Sequence, residues 1–365
     1  MCYLFIYCNW YSKEQQLNNN RAEILKIIFI FVYILSAMQY KLKVFYNKED
    51  LPELKSVSFF HNASTFDLYK DVPYYTPLMI VCFENDEPVA SFFAHILRIN
   101  RLLDASVFRR CYVTQKPAYF KANLPEEEIF AELLNALIQE VKTRVFYIEI
   151  RNLGDPIFGY KAFRDNNFFS IKWINIKNSL QKKRKIWNQL SRSRKNQVNK
   201  AKRKGVYIED VTTDSELHDI YKLIDKNLNW KFSHRFPPFT YFCNFFHSYV
   251  LEGKGKIFLA KYQGKVLGGI IIGIDDNNNA YNLYYWGKTK TYKNLYPTIY
   301  TIWYALNYAE KNGLKFFDFM DCGYLHEKAG KPRFILQFGG KQHATRRWYK
   351  FSWGWINFLA SKFYD

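Results

Sequence analysis

The sequence predicts a mixed α/β fold made of two tandem copies of one unit, each a central antiparallel-to-mixed sheet flanked by helices. Two observations carry this expectation. The first is a repeated order of elements. Apolar strand-like runs at Pro77 to Phe83 and Val89 to Ile96 flank the turn Glu84-Asn85-Asp86-Glu87-Pro88, and an amphipathic stretch at Pro125 to Thr143 leads to a buried-type run at Val145 to Ile150. The same order returns as a meander through Lys256 to Tyr262, Val266 to Ile274 and Ala280 to Gly287, then a helix at Pro297 to Asn312 and a strand at Phe316 to Met320. The second is bulk composition. With 365 residues, 48% hydrophobic and 19% aromatic, the chain is long enough for two ordinary cores and too apolar to be largely disordered.

Five segments follow from reading along the chain. Residues 1–37 form an apolar N-terminal extension. Its run Ile27 to Ala37 is short against the roughly 20 residues of a spanning helix. Three readings stand for it: an extension ahead of a true start at Met38, a membrane anchor, or a secretion signal. Leu35 fits the last poorly, because a cut after Ala37 wants a small residue there. The first unit occupies 38–181, beginning with the alternating strand Tyr40 to Phe45. Its helix shows Ile129, Phe130, Leu133, Leu134, Leu137, Ile138 and Val141 on one face, with Glu126 to Glu128 favouring the positive end of the dipole.

A connector at 182–205 carries eleven Lys or Arg residues and no acid between Lys182 and Lys204. Ile186, Leu190, Val198 and Ala201 give it a thin apolar stripe, so it reads as one basic helix entering a strand at Val206 to Glu209. Lys200, Lys202, Arg203 and Lys204 are either a solvated face or a landing surface for phosphates. The second unit occupies 206–351. Thr213 and Glu216 make a capping box for a helix through Leu217, Ile220, Tyr221, Ile224 and Leu228. Pro297 and Gly313 bracket the later helix as first-turn and C-terminal signals. Residues 352–365 are a C-terminal tail.

The net charge of +20 points to a polyanionic partner. Cys2, Cys8, Cys82, Cys111, Cys243 and Cys322 form no C-x-x-C pair, the usage of a reducing, cytoplasmic compartment. No nucleophile elbow, phosphate-binding Gly-rich loop or H-E-x-x-H is present, and the histidines stand at no metal-ligand spacing, so no metal is expected. His326, in a loop beside Glu327, reads as a solvated residue.

What remains is a conjunction of motifs: Asn196, Lys200, Ala201 and Gly205 within Ser191 to Val206, Pro297 opening a helix, a strand ending Asp321-Cys322-Gly323, and Arg333-Phe334-Ile335-Leu336-Gln337-Phe338-Gly339-Gly340. From about Met38 to Phe351 this resembles the Fem-type peptidoglycan-bridge aminoacyltransferases and, more broadly, the double-GNAT proteins. The resemblance implies a pair of GNAT-like units whose shared groove brings an acyl donor to an amine, rate coming from proximity and backbone donors rather than a side-chain nucleophile. It implies a transferase moving an aminoacyl or acyl group onto an amine of a nucleotide- or lipid-linked cell-envelope precursor. The donor would be aminoacyl-tRNA or acyl-CoA, with no tightly bound cofactor. Partners would then be that anionic precursor, tRNA, and the inner membrane face by peripheral association; oligomeric state is left open.

On this reading Arg235, Lys288 and Arg333 bind phosphates and Tyr284 and Trp286 line the acceptor cleft. Asp321 orients or deprotonates the amine, and Phe338, Gly339 and Gly340 shape the donor channel. Two departures sharpen it. The turn Tyr292 to Pro297 lacks the glycines with which acetyl-CoA enzymes hold pyrophosphate, and Pro297 removes a donor. Fem-type enzymes carry a Lys where this chain has Ile335, so Lys331 or Arg333 must reach in instead. Two rivals stay open: an acyl-CoA-dependent N-acyltransferase on an amino sugar, and a non-catalytic RNA- or membrane-surface-binding protein.

Overall fold

The computed structural model describes residues 40–100, 102–181, 184–227, 237–324 and 330–364, without side chains at 219 and 222–227. The 1–37 extension, Met38, Lys182, Lys183, Leu228, Arg235 and His326 lie outside the described residues. Among those described, no helix is long and apolar enough to cross a membrane.

The first half runs β1 (Tyr40–Phe45), α1 (Ser64–Tyr69), β2 (Tyr75–Glu84), β3 (Glu87–Arg98), β4 (Arg109–Thr114), β5 (Ala118–Tyr119), α2 (Glu126–Val141), β6 (Tyr147–Arg151), α3 (Tyr160–Asp165) and β7 (Phe169–Ser179). Two short helices, α4 (Ile186–Gln189) and α5 (Arg192–Arg203), lead into β8 (Tyr207–Asp210). Then come α6 (Asp214–Asn227), α7 (Phe239–Phe245), β9 (Gly255–Tyr262), β10 (Lys265–Ile274), β11 (Asn279–Gly287), α8 (Pro297–Lys311), β12 (Phe316–Asp318), β13 (Gly323–Tyr324), α9 (Lys331–Leu336), β14 (Lys341–Phe351) and α10 (Gly354–Tyr364).

All strands among the described residues join one sheet whose main path is β1-β2-β3-β4-β6-β14-β7-β12-β11-β10-β9-β8. Read from either end it gives the same sequence of pairings: three antiparallel, one parallel, then antiparallel at the centre. The parallel pairs are β4 with β6 and β11 with β12, each bridged by its long helix, α2 or α8. The last long strand of each half crosses over: β14 pairs with β6, and β7 pairs with β12. The two halves are therefore stitched through the middle of one sheet.

Local signals explain most elements. The seven apolar residues of α2 are all buried against β2, β4 and β6, each such side chain contributing about 1.5–3 kcal/mol. Pro297 occupies the first turn of α8, and Gly313 ends it at φ 71°. Glu216 accepts hydrogen bonds from the Thr212 and Thr213 amides at 2.9 and 3.2 Å, the acidic side of the expected capping box. Two expectations need correction. The basic connector is two helices, because Ser191 is extended (ψ 154°) and caps α5 by accepting from the Arg194 amide. The strand at Phe316 stops at Asp318, because Met320 and Asp321 take φ of 31° and 45° and turn the chain out of the sheet. The stretch 352–365 includes a regular helix, α10.

Candidate active site

Strand alternation sorts β4 and β6 into two faces. Cys111, Val113, Ile148 and Ile150 face α2, while Arg110, Tyr112, Thr114, Tyr147, Glu149 and Arg151 face the second half. There they wall a cleft of about 780 Å³ whose other side is the end of β11 (Asn282 to Tyr285) and the turn after β12 (Phe319 to Asp321). Arg347 of β14 and Lys331 of α9 complete it. Four cations, Arg110, Arg151, Lys331 and Arg347, thus meet two carboxylates, Glu149 and Asp321, so the cleft favours an anionic guest.

The charges form one network. Asp321 binds Arg347 at 2.6 Å and Arg151 at 3.2 Å, while buried Glu149 accepts from Arg347 at 3.1 Å. Asn175 fixes the Asp321 backbone by accepting its amide at 3.1 Å. Burial alone would raise the Asp321 carboxyl, but Arg151 and Arg347 outweigh it and hold it below the ordinary aspartate range. Such a carboxylate is a weak proton acceptor and a firm anchor for two guanidiniums.

A tyrosine-rich wall lies beside this network. His95 stacks on Tyr69 at 4.6 Å and faces Tyr75 and Tyr112 at 5.6 and 5.5 Å. Burial, helped by nearby Arg151, lowers its imidazole to about 3, so it is neutral at physiological pH. Burial raises the Tyr284 hydroxyl to about 12, keeping it a hydrogen-bonding phenol. Buried Asn152 has no partner for either side-chain atom, and buried Asn282 none for its oxygen, among the described residues. These are the polar atoms a ligand or water would satisfy.

The backbone of β11 is the decisive feature. It pairs with β12 only at Asn279, Ala280 and Tyr281, and from Asn282 to Gly287 no described strand lies on that side. Against β10 the register skips Leu283, so Ile271 faces Tyr284 and Ile272 faces Asn282. Leu283 is therefore a bulge, the residue that the register passes over, and it lines the cleft. Lys331 spans the mouth of this gap: its ammonium donates to the Asp321 carbonyl at 2.8 Å and lies 6.0 Å from the Tyr285 ring. The residue stands on the exposed rim, but its head turns inward, where burial lowers its proton affinity.

The remaining expected site residues are distributed as follows. Tyr284 and Asp321 line the cleft. Trp286 is directed away from it, packed on Gly269. Lys288 extends the β10–β11 ladder past Gly287 through its amide to the Leu267 carbonyl, and exposed Arg333 lies outside the cleft. Phe338 is fully buried in the second core, while Gly339 and Gly340 sit against Gln189 and Ile176, where a Cβ would meet atoms at 2.6 and 2.5 Å. These three shape packing outside the cleft. On α5, Lys202 lies over Trp303 at 4.1 Å and Lys200 over Tyr296 at 5.8 Å, with Arg203 and Lys204 exposed beyond them. Ile335 is fully buried, and of the two cations expected to replace it Lys331 reaches the cleft.

Sequence reasoning missed Arg151, Arg347, Glu149, His95 and Asn152. One signal was there: Asn152-Leu153-Gly154 after β6 mirrors Asp321-Cys322-Gly323 after β12, with Asn152 and Asp321 both at positive φ, 60° and 45°. No His, Cys, Asp and Glu group able to hold a metal occurs among the described residues.

No protein-family model and no curated protein matches the chain. Solved structures do. FemX superposes with a TM-score of 0.56 at 12% identity, covering 84% of this chain and 94% of its own. L-PGS from Bacillus licheniformis gives 0.53 at 11%, covering 83% and 93%. The fold is a tandem GNAT fold. A tandem GNAT protein from the clavulanic acid biosynthesis pathway gives 0.51 at 9% identity, covering 86% of this chain and 99% of that one. In tandem GNAT terms, the parallel pair of the second half is the one that opens and that of the first half is the one that stays shut.

Proposed function

We propose that the protein is an acyl-group transferase acting on an amine, with an aminoacyl ester, carried on tRNA, as donor and an anionic cell-envelope precursor as acceptor. The observation that carries this is the bulged, unpaired end of β11 opening into a cationic cleft. The donor carbonyl lies in the gap, where the backbone N–H at the Leu283 bulge and the Lys331 ammonium stabilise the oxyanion as the amine adds. A C–N bond forms, the ester C–O bond breaks, and the proton lost by the amine ends on the departing hydroxyl. Asp321 and Glu149 hold Arg151 and Arg347 in place as positioning residues, and the guanidiniums bind the acceptor's phosphate or carboxylate. With His95 neutral and weakly basic and Asp321 held down, the amine enters as the free base.

The helix termini argue for an ester donor over acyl-CoA. The first turn of α8 begins with Pro297, and Pro297, Thr298, Ile299 and Tyr300 are all buried; Thr298 packs directly on Gly287. The first turn of α2 carries Glu126, Glu127 and Glu128, which repel a pyrophosphate. FemX and L-PGS share this fold, which adds fold-level support only. The test is a competition assay with labelled aminoacyl-tRNA and labelled acetyl-CoA offered together with cell-envelope precursors. Label from tRNA should reach an amide in the precursor, and RNase should abolish transfer. Transfer from acetyl-CoA that survives RNase would overturn the donor assignment.

A further inference from the structure

The C-terminal helix α10 is built inside out. Trp355, Phe358, Leu359, Lys362 and Phe363 follow the i, i+3, i+4, i+7, i+8 spacing of one helical face, and that face is turned to solvent. Phe363 is 85% exposed, Trp355 65% and Phe358 57%, with Trp353 beside them at 46%. The face turned inward carries Asn357, Ala360 and Ser361, with half-buried Ile356 and the ring of Tyr364 beside them. Asn357 is its buried residue, its oxygen accepting from the Phe351 amide at 2.9 Å and its amide donating to the Asn167 carbonyl at 2.8 Å. The helix is thus docked by the Asn357 hydrogen bonds and the stacking of Tyr364 on Phe169 at 5.9 Å, while its Trp355–Phe363 stripe is left uncovered, the opposite of what folding in water favours.

Charge selects what covers it. At the foot of α10 lies a cavity of about 380 Å³ lined by Lys142, Arg164 and Lys350 and by apolar Ile138, Phe168 and Phe358, with no carboxylate among the described residues lining it. The Lys350 ammonium donates to the Asn166 carbonyl at 2.7 Å and has no acidic partner among the described residues. Lys362 lies in the middle of the apolar stripe, its ammonium 4.4 Å from the Phe358 ring centre. A second copy of a chain carrying +20 would bring these cations face to face. A surface offering phosphates above an apolar interior satisfies both halves of the patch: cations at headgroup depth, and Trp and Phe at the boundary where such rings partition.

We infer that α10 and the cavity at its foot form a docking site for an anionic lipid bilayer, with the aromatic stripe entering the interface and Lys142 and Lys350 receiving a lipid phosphate. The site is independent of the transfer reaction. Residues 352–364 hold the stripe, and the cleft is walled by other residues on the opposite face of β6.

Flotation of the full chain with vesicles tests this, comparing phosphatidylcholine alone with phosphatidylcholine plus phosphatidylglycerol. The protein should float with the anionic vesicles, weakly with the neutral ones, and less in high salt. The triple variant Trp355→Ser, Phe358→Ser, Phe363→Ser should lose at least tenfold in partitioning with an unchanged melting temperature, since all three side chains are exposed. Lys350→Glu should lose binding to anionic vesicles selectively. Brominated lipids should quench tryptophan fluorescence in the wild type and much less in the triple variant. Equal partitioning of wild type and triple variant, as an anchor in residues 1–37 would give, overturns the inference. So does a wild type that ignores anionic vesicles, or a triple variant whose only change is loss of self-association in sedimentation.

Discussion

The two halves of the sheet carry the same pairing pattern, and they differ at one place. In the first half five consecutive residue pairs, Arg110 with Tyr147 through Thr114 with Arg151, zip β4 to β6, and the Gln115 amide extends the ladder to the Arg151 carbonyl. In the second half three pairs join β11 to β12 before the strands part, and Leu283 bulges where they do. The closed half presents a flat face of charged and tyrosine side chains. The open half presents backbone. One copy of the unit is a closed wall, and the other leaves a backbone gap at the end of its parallel pair. The positions that end the fifth strands show the same divergence: Asn152 in the closed half is neutral, and Asp321 in the open half is clamped by two arginines.

The largest effect should come from the bulge. Leu283→Pro deletes one backbone N–H at the residue the β10–β11 register passes over, so the fold should hold while kcat falls by about 100–1,000-fold, the usual cost of one oxyanion donor. Val113→Pro, in the zipped counterpart strand, should instead lower stability by about 3 kcal/mol or more, because it breaks a ladder bond in a buried strand. Single-turnover kinetics and urea melts on the two variants separate the cases; a Leu283→Pro enzyme with full activity would dismiss the gap as the reaction site.

Lys331→Met should lower kcat by about ten- to a hundredfold with KM changed less, and Lys331→Arg should restore part of it. Arg333→Met, on the exposed side of the same helix, should leave both constants unchanged. Equal losses from the two would mean the helix matters and the ammonium does not.

A third contrast sets Asp321 against Asp318, the buried carboxylate of the strand that parts. Asp321→Asn should cost about 2–3 kcal/mol, short of the full range for buried pairs because its side chain is 24% exposed. Asp318→Asn should be neutral or stabilising. Burial raises that carboxyl, Lys177 and the Met320 amide only partly offset it, and asparagine can keep the 2.8 Å bond from the Met320 amide. The pH dependence differs in sign. Asp321, held below its ordinary 3.8, contributes stability above that pH and loses it as pH falls through its lowered folded value. Asp318, raised above 3.8, contributes only while protonated, and its contribution falls as pH rises through the folded value. Urea melts of both variants at pH 7 and near pH 3 should show the Asp321 deficit shrinking in acid and any Asp318 gain shrinking as well.

The smallest effect lies outside the cleft. Arg203→Gln with Lys204→Gln should weaken an RNA-linked donor a few-fold in KM at low salt and flatten the log–log salt dependence by roughly 0.7 per lost phosphate contact. Filter binding against salt concentration reads this directly, and an unchanged slope would return these residues to solvated-face duty.

Sequence periodicity made the local elements legible. The α2 stripe, the β9–β10–β11 meander and the caps of α8 are each written within a few turns or strands of chain. The crossing strands were not. Lys341 to Phe351 is rich in Lys, Arg and aromatics, and Phe169 to Ser179 mixes both faces, because each is buried against a partner far away in sequence. Asp321 and Tyr284 could be found because a strand-end Asp-x-Gly and an aromatic strand stand out alone. Arg151 and Arg347 could not, since 196 positions separate them and only the crossing of β14 beside β6 brings both to one carboxylate. The Leu283 bulge has no residue signature at all, because it is a mismatch of register between two strands.

Amide hydrogen exchange across β11 and β4, with and without a hydrolysis-resistant aminoacyl-adenosine amide, tests the divided roles of the two halves most directly. Amides from Asn282 to Trp286 that face away from β10 should exchange quickly in the free protein and slow at least tenfold on binding, with β4 protected throughout and unchanged. Protection that appears in β4 while β11 stays unaltered would place the donor in the first half and contradict the account.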